Sequence, residues 1–230
     1  MVSPVPEIPG LSRKDVFGQF YLVGPTAYFG LVEIGQPKIG ETLVVSGAAG
    51  AVGSLAGQLG KALGCVTVGI AGGEEKCASL TRDFGYDHAI DYKNENVEQR
   101  LRETCPKGID IYFDNVGGAT LNTVLAQMNL FGRVIQCGMI SVYDTEAANA
   151  APSNYPLILM QRLKVQGFIA FDFAARYPEA YRALAKLRRE GKLNWRYHDI
   201  AGLENADKAM RMLFKGQNTG KLLVKVADPA

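Results

Sequence analysis

The octapeptide Ser46-Gly47-Ala48-Ala49-Gly50-Ala51-Val52-Gly53 joins a compact apolar run, Thr42-Leu43-Val44-Val45, to a helical pattern ending near Leu63. Small residues at such a junction let the backbone approach a pyrophosphate, and the free N–H groups and partial positive charge of a helix N-terminus receive the anion. The spacing is that of a dinucleotide-binding turn with one departure: the usual G-x-G-x-x-G starts here with Ala48, followed by Gly50 and Gly53. A tight strand-to-helix turn in any α/β protein gives the same pattern, so the surrounding elements must decide.

Those elements alternate. Gly24 to Ile34 reads as a helix with Pro25 in its first turn and Ala27, Leu31 and Ile34 on one face. Strands are expected at Thr42 to Val45, Cys65 to Ala71, His88 to Asp91, Ile109 to Phe113 and Arg133 to Cys137. Helices are expected at Glu74 to Phe84, Val97 to Glu103 and Thr120 to Met128. Strand and helix alternating through short glycine-bearing links predict an α/β fold: a Rossmann-type doubly wound parallel sheet with helices on both faces. The ligand of such a sheet lies beyond the carboxyl ends of its strands. That rule selects Ser46 and Gly47, Ala71 to Gly73, Tyr92, Asp114 to Gly117, and Gly138 to Tyr143. Ser141 to Tyr155 then reads as a loop over the site, Pro156 to Leu163 as a helix and Lys164 to Phe171 as a strand. Tyr177 to Glu190 and Leu203 to Phe214 are expected helices, and Lys221 to Val226 a closing strand. Residues 1–20, with Pro4, Pro6, Pro9 and Gly10, read as an extended or irregular arm.

The 230 residues, 47% hydrophobic and 21% charged, can bury a sizeable core as one large domain, or one domain with an appendage. Formal net charge is +2 and the basic residues are scattered, which gives no electrostatic reason to invoke nucleic acid or an anionic membrane. No apolar run approaches the roughly 18–20 residues that span a bilayer. The N-terminus lacks the basic-then-apolar layout of a signal peptide, so a cytoplasmic protein is expected. The four cysteines, Cys65, Cys77, Cys105 and Cys137, form no C-x-x-C pair and read as buried thiols. His88 and His198 lie far apart with no carboxylate at ligand spacing, so no protein-bound metal is expected.

Charge bears on the choice of dinucleotide. An NAD site places an acid at the end of the second strand, where it would repel the 2′-phosphate of NADP. Here that strand ends Gly69-Ile70-Ala71-Gly72-Gly73, with Lys76 shortly after, which favours NADP. Glu74 and Glu75 fall in the same window and read as first-turn residues of the next helix.

Together these segments resemble the zinc-independent medium-chain dehydrogenase/reductase superfamily, and within it the alkenal/prostaglandin reductase branch. The resemblance is carried by Gly24 to Leu31, Ser46 to Gly53, Gly72-Gly73-Glu74-Glu75-Lys76, Asp91-Tyr92-Lys93, Tyr112 to Gly118, Cys137 to Tyr143 and Gly220-Lys221, in order along nearly the whole chain. It implies that Ala49, Gly50, Ala51, Val52 and Gly53 form the pyrophosphate turn. Gly73, Lys76 and Tyr92 would serve the adenosine side, with Lys76 and Tyr92 on the 2′-phosphate. Asn115 would contact the ribose and nicotinamide side. Cys137, Gly138, Ile140, Ser141 and Tyr143 would run along the cofactor toward substrate, Phe168, Ile169 and Ala170 would lie beside the nicotinamide, and Asn218 would be a late contact. Plainer roles exist: Tyr92 could cap a strand, Asn115 could satisfy a turn, and Phe168 could belong to the core.

The function implied is NADPH-dependent reduction of the C=C bond of α,β-unsaturated aldehydes or ketones, with Tyr143 as donor to the carbonyl oxygen or as packing for its loop. Two other readings are a catalytically incomplete NADP-binding and dimerising module and a quinone oxidoreductase. Family members carry an N-terminal barrel-like domain that closes the substrate cleft, whereas about two dozen residues precede the Gly24 helix here. Residues 1–23 are therefore expected to be an arm left from that domain, and residues 24–230 an NADP-binding domain with a C-terminal extension. The expected partners are a small enone, enal or quinone and a second copy of the chain, paired through a sheet edge near Lys164 to Phe171.

Overall fold

Leu43, Val45, Ile111, Phe113 and Ile135 pack into one apolar cluster and Val44, Tyr112 and Val134 into another, because successive residues of a strand point to opposite faces of its sheet. A sheet buried on both faces follows. In the computed structural model, which describes residues 5–143 and 152–227, its strands are β1 (Thr42–Ser46), β2 (Val66–Ala71), β3 (His88–Asp91), β4 (Ile109–Asp114), β5 (Met128–Gln136) and β6 (Lys164–Gly167). All pair in parallel in the order β3-β2-β1-β4-β5-β6. This is the doubly wound arrangement expected. The chain leaves β1 toward β2 on one side and reaches β4 on the other, and this reversal opens a crevice at the strands' carboxyl ends.

The helices are α1 (Arg13–Asp15), α2 (Val23–Phe29), α3 (Ala51–Ala62), α4 (Glu74–Phe84), α5 (Val97–Thr104), α6 (Gly118–Leu125), α7 (Pro156–Met160), α8 (Tyr177–Arg189) and α9 (Ala206–Phe214). α3 carries Gly53, Gly57 and Gly60, each costing about 1 kcal/mol in helix propensity relative to alanine. Close approach offsets that cost. A Cβ at Gly57 would overlap the buried Tyr86 ring, whose hydroxyl donates to the Gly53 carbonyl at 2.7 Å.

Several expectations need correction. Arg13 to Phe20 are helical, not an extended arm, and Val16 and Phe20 are buried in the core; the Asp15 carboxylate accepts from Trp195 Nε1 at 2.7 Å and Tyr197 Oη at 2.8 Å. Thr120 to Met128 is not one helix: α6 ends at Leu125 and Met128 already begins β5. The helix at Pro156 ends at Met160, short of Leu163. The strand at Lys164 ends at Gly167, and Ala170–Arg176 is a 3-10 turn. The stretch beginning at Leu203 starts as a 3-10 turn before α9. The closing strand, β8 (Lys221–Lys225), does not join the main sheet; it pairs in parallel with β7 (Tyr197–Ala201), a strand with no clear sequence signal. Of the expected loop from Ser141 to Tyr155, residues 144–151 lie outside the described residues.

Candidate functional site

The glycine turn, the ends of β1, β2, β4 and β5, and the end of α9 with Lys215, Gly216 and Asn218 line a cavity of about 760 Å³. That volume falls within the roughly 300–1,000 Å³ of small-molecule sites. At one wall Gly50 caps α3 without any side-chain hydrogen bond, so the first N–H groups of the helix are open to an anion. A Cβ at Gly53 would overlap the Gly47 carbonyl oxygen and come within 2.7 Å of Ala48 Cα, so only glycine lets the turn fold this tightly against the helix. The Gly220 N–H donates to the Ala49 carbonyl at 3.1 Å, fastening the β8 segment to the turn.

Beyond β2 and β3 the cavity is lined by Lys76 and Tyr92. Lys76 is half-buried, and its Nζ donates to the Gly216 carbonyl at 2.6 Å. Burial, and then the charge of Lys93, push its pKa down, which marks an ammonium short of negative partners. Glu74 and Glu75 occupy the first turn of α4, as expected. The nearest acid from the next strand, Asp91, spends its oxygens on the Gly73 N–H at 2.8 Å, the Lys93 N–H at 3.0 Å and Asn94 Nδ2 at 2.7 Å. Burial raises its pKa, but those hydrogen bonds outweigh it and hold the carboxyl below the ordinary range.

Beyond β4 and β5 the walls are Asn115 to Gly117 and the segment from Cys137 to Tyr143. Asn115 is held by two bonds to Ser46: its N–H donates to Oγ at 3.0 Å and its Nδ2 to the carbonyl at 2.8 Å. Burial, and then the charge of Asp114, push the Cys137 thiol up to about 12. Tyr143 is 60% exposed, and its Oη accepts from the Met139 N–H at 3.0 Å, leaving its own proton to donate.

The cavity thus gathers Ala49, Gly50, Ala51, Val52, Gly53, Lys76, Tyr92, Asn115, Cys137, Gly138, Ile140, Ser141, Tyr143 and Asn218. Gly73 stands one residue outside it, with φ at +98°. Phe168, Ile169 and Ala170 do not line it: Phe168 packs toward Phe173 with ring centroids 6.4 Å apart, Ile169 is exposed and Ala170 is buried. Sequence reasoning missed Leu22, Val23 and Thr26 at one rim and Leu213 to Gly216 at the other. The cation-glycine pair Lys215-Gly216, just before Asn218, was the available signal for the second group. Among the described residues no group of three or more His, Cys, Asp or Glu side chains is placed to hold a metal ion.

Residues 51–186 match the zinc-binding dehydrogenase family. The chain belongs to that family. Among relatives, it is 42% identical over 215 residues to an NADPH-dependent curcumin reductase of Escherichia coli (strain K12), covering 91% of this chain and 62% of that protein. It is 41% identical over 234 residues to an NADP(+)-dependent 2-alkenal reductase of Nicotiana tabacum, covering 99% of this chain and 68% of that protein. Its fold superposes on the crystal structure of CurA in complex with NADPH from Vibrio vulnificus with a TM-score of 0.90 at 42% identity, covering 94% of this chain and 66% of the other. The chain therefore spans about 62% of the length of the curcumin reductase.

The residues present fit a phosphorylated dinucleotide. The uncapped helix start and the Gly53 close approach suit a pyrophosphate, and the half-buried ammonium of Lys76 suits a further phosphate.

Proposed function

We propose that this zinc-binding dehydrogenase family member uses NADPH to reduce the C=C bond of α,β-unsaturated aldehydes and ketones, without zinc. One observation carries the reading: a single cavity joins the open helix start, the Lys76 ammonium and the Tyr143 hydroxyl. Bound NADPH would supply the hydride for the β-carbon of the substrate. The chain's residues do the rest. Lys76 and Tyr92 hold the 2′-phosphate, Ala49 to Gly53 receive the pyrophosphate, and Asn115, tied down by Ser46, orients the ribose and nicotinamide side. Tyr143 donates its O–H to the carbonyl oxygen as negative charge develops there, the role a metal ion would otherwise fill. The N–H that Tyr143 accepts from Met139 strengthens the hydrogen bond its own O–H can give. Phe168 to Ala170 would then support the nicotinamide side from outside the cavity wall.

The span of about 62% of the curcumin reductase favours a second reading, in which the chain is an NADP-binding, dimerising module without independent catalysis. In either case the partner is a second copy of the chain: β6 is the edge of the sheet, and Val165, Ile169 and Phe171 along or just beyond it are exposed. A cytoplasmic setting accords with this chemistry, and among the described residues no helix is long and apolar enough to cross a membrane. Neither nucleic acid nor membrane is part of the proposal.

The test is NADPH consumption against a panel of enones, enals and quinones, run beside a cofactor titration and sedimentation of wild type and Val165→Lys. Enone turnover supports the reductase; binding without turnover supports the module; faster quinone turnover moves the substrate class. Failure to bind NADPH overturns both cofactor readings, and a monomeric wild type overturns the edge pairing.

A further inference from the structure

Asp114 ends β4 and is fully buried. Its Oδ1 accepts from Ser46 Oγ at 2.9 Å, Tyr112 Oη at 2.8 Å, and the N–H groups of Val116 and Gly117, both at 2.9 Å. Its Oδ2 accepts from Gln136 Nε2 at 3.3 Å. The Val116 and Gly117 N–H groups on Oδ1 and the Gln136 amide on Oδ2 can only donate, so both oxygens are acceptors and the group is a carboxylate. All five are neutral, and none is a Lys, Arg or His side chain. A unit negative charge therefore lies behind the cavity wall. Ser46, Val116 and Gly117, three of the residues that donate to it, line the cavity themselves. Its field reaches that wall, because Cys137, another lining residue, is shifted by it as well as by burial. Charges so placed are screened far less than charges in water.

The strand order puts Lys76 and Tyr92 on the β2 and β3 side of the cavity and Asp114 on the β4 side. On the cofactor reading above, on which this inference rests, phosphate occupies the first side and the nicotinamide the second. The ring of NADP⁺ is positively charged and that of NADPH is neutral. We propose that Asp114 acts on the cofactor through its field, without touching it, favouring the oxidised over the reduced form and so biasing bound NADPH toward giving up hydride. A carboxylate used only to brace the Asn115 to Gly117 turn would affect both forms alike.

The experiment titrates NADP⁺ and NADPH against wild type, Asp114→Asn, Gln136→Lys and Tyr112→Phe, and reads the ratio Kd(NADP⁺)/Kd(NADPH). The ratio is expected to rise at least fivefold in Asp114→Asn. Gln136→Lys sets an ammonium beside Oδ2 while leaving the four Oδ1 donors in place, so its ratio is expected to rise too, and it serves if Asp114→Asn does not fold. Tyr112→Phe removes one donor but keeps the charge, and its ratio is expected to stay at the wild-type value. Equal weakening of both cofactor forms, an unchanged ratio in both charge variants, or a Tyr112→Phe shift as large as that of Asp114→Asn overturns the proposal. A wild type that binds neither form overturns the cofactor reading itself.

Discussion

Replacing Lys76 with methionine keeps an unbranched apolar stem and removes the ammonium. A hydrogen bond to a charged group contributes about 1.5–3 kcal/mol, less whatever entropy is lost in ordering the side chain. For lysine that entropy is about 1.5–2 kcal/mol, but the ammonium is already tethered to the Gly216 carbonyl at 2.6 Å, so much of the ordering precedes binding. Its half-buried position also reduces the competing water. The upper part of the range therefore applies, about 2–3 kcal/mol, or roughly a 30- to 140-fold loss of NADPH affinity. NADH has no 2′-phosphate, and its affinity is expected to hold within about threefold, or ~0.6 kcal/mol. Fluorescence titrations with both cofactors at one fixed ionic strength measure this directly, since salt screens the exposed part of the contact. Parallel losses for NADPH and NADH, or an NADPH loss below about threefold, would refute the assignment of Lys76 to the 2′-phosphate.

Three further outcomes follow from the geometry. Tyr143→Phe keeps the ring but loses both the O–H and the acceptor for the Met139 N–H, so enone turnover is expected to fall on the order of 10²-fold, at the low end of what loss of a positioned donor costs, while NADPH affinity changes little; full turnover removes the tyrosine from the reaction. Gly57→Ala forces a Cβ into the buried Tyr86 ring and is expected to cost about 2–3 kcal/mol, lowering Tm by roughly 5–10 °C in a thermal melt; an unchanged Tm would mean α3 can slide off the sheet without cost. Glu41 forms a two-pronged pair with Arg133 at 2.5 and 2.9 Å, both side chains under one-fifth exposed. Burial raises the Glu41 pKa, but the hydrogen bonds from Arg133, the Lys38 N–H and the nearby positive charges together outweigh it and leave the carboxyl below its ordinary range. The pair's contribution is thus present at neutral pH and lost as pH falls through that lowered pKa. Glu41→Gln should cost on the order of 2 kcal/mol at pH 7 and almost nothing once the wild-type carboxyl is protonated, as read from denaturant melts across that range; a cost independent of pH would deny the pair its role.

The main sheet was legible because its signals are local. Val44, Val45, Ile70, Ile111, Tyr112 and Phe113 sit in short apolar runs bounded by glycine, and a strand buried on both faces needs little else. β7 was missed because Tyr197-His198-Asp199-Ile200-Ala201 is half-exposed and mostly polar, and only its pairing with β8 holds it as a strand. The end of β6 at Gly167 leaves no sequence signal, because it is set by where pairing with β5 stops, at Gln136, while the exposed apolar residues Ile169 and Phe171 continue the pattern beyond it. Glycine and proline just before Arg13 to Phe20 suggest irregular chain, whereas burial of Val16 and Phe20 against the core decides its conformation.

The sequence alone determined the class of fold, the glycine turn and the residues that follow each strand end, since turn chemistry and residue periodicity act over a few positions. Only the tertiary structure decided what meets across the cavity. It brings Leu22, Val23 and Thr26 to the cavity, sets Lys76 against Gly216 from 140 positions away, leaves Phe168 to Ala170 outside the lining, and closes five donors around Asp114. Contacts so distant in the chain depend on how helices and sheet pack, and packing leaves no period in the sequence to read.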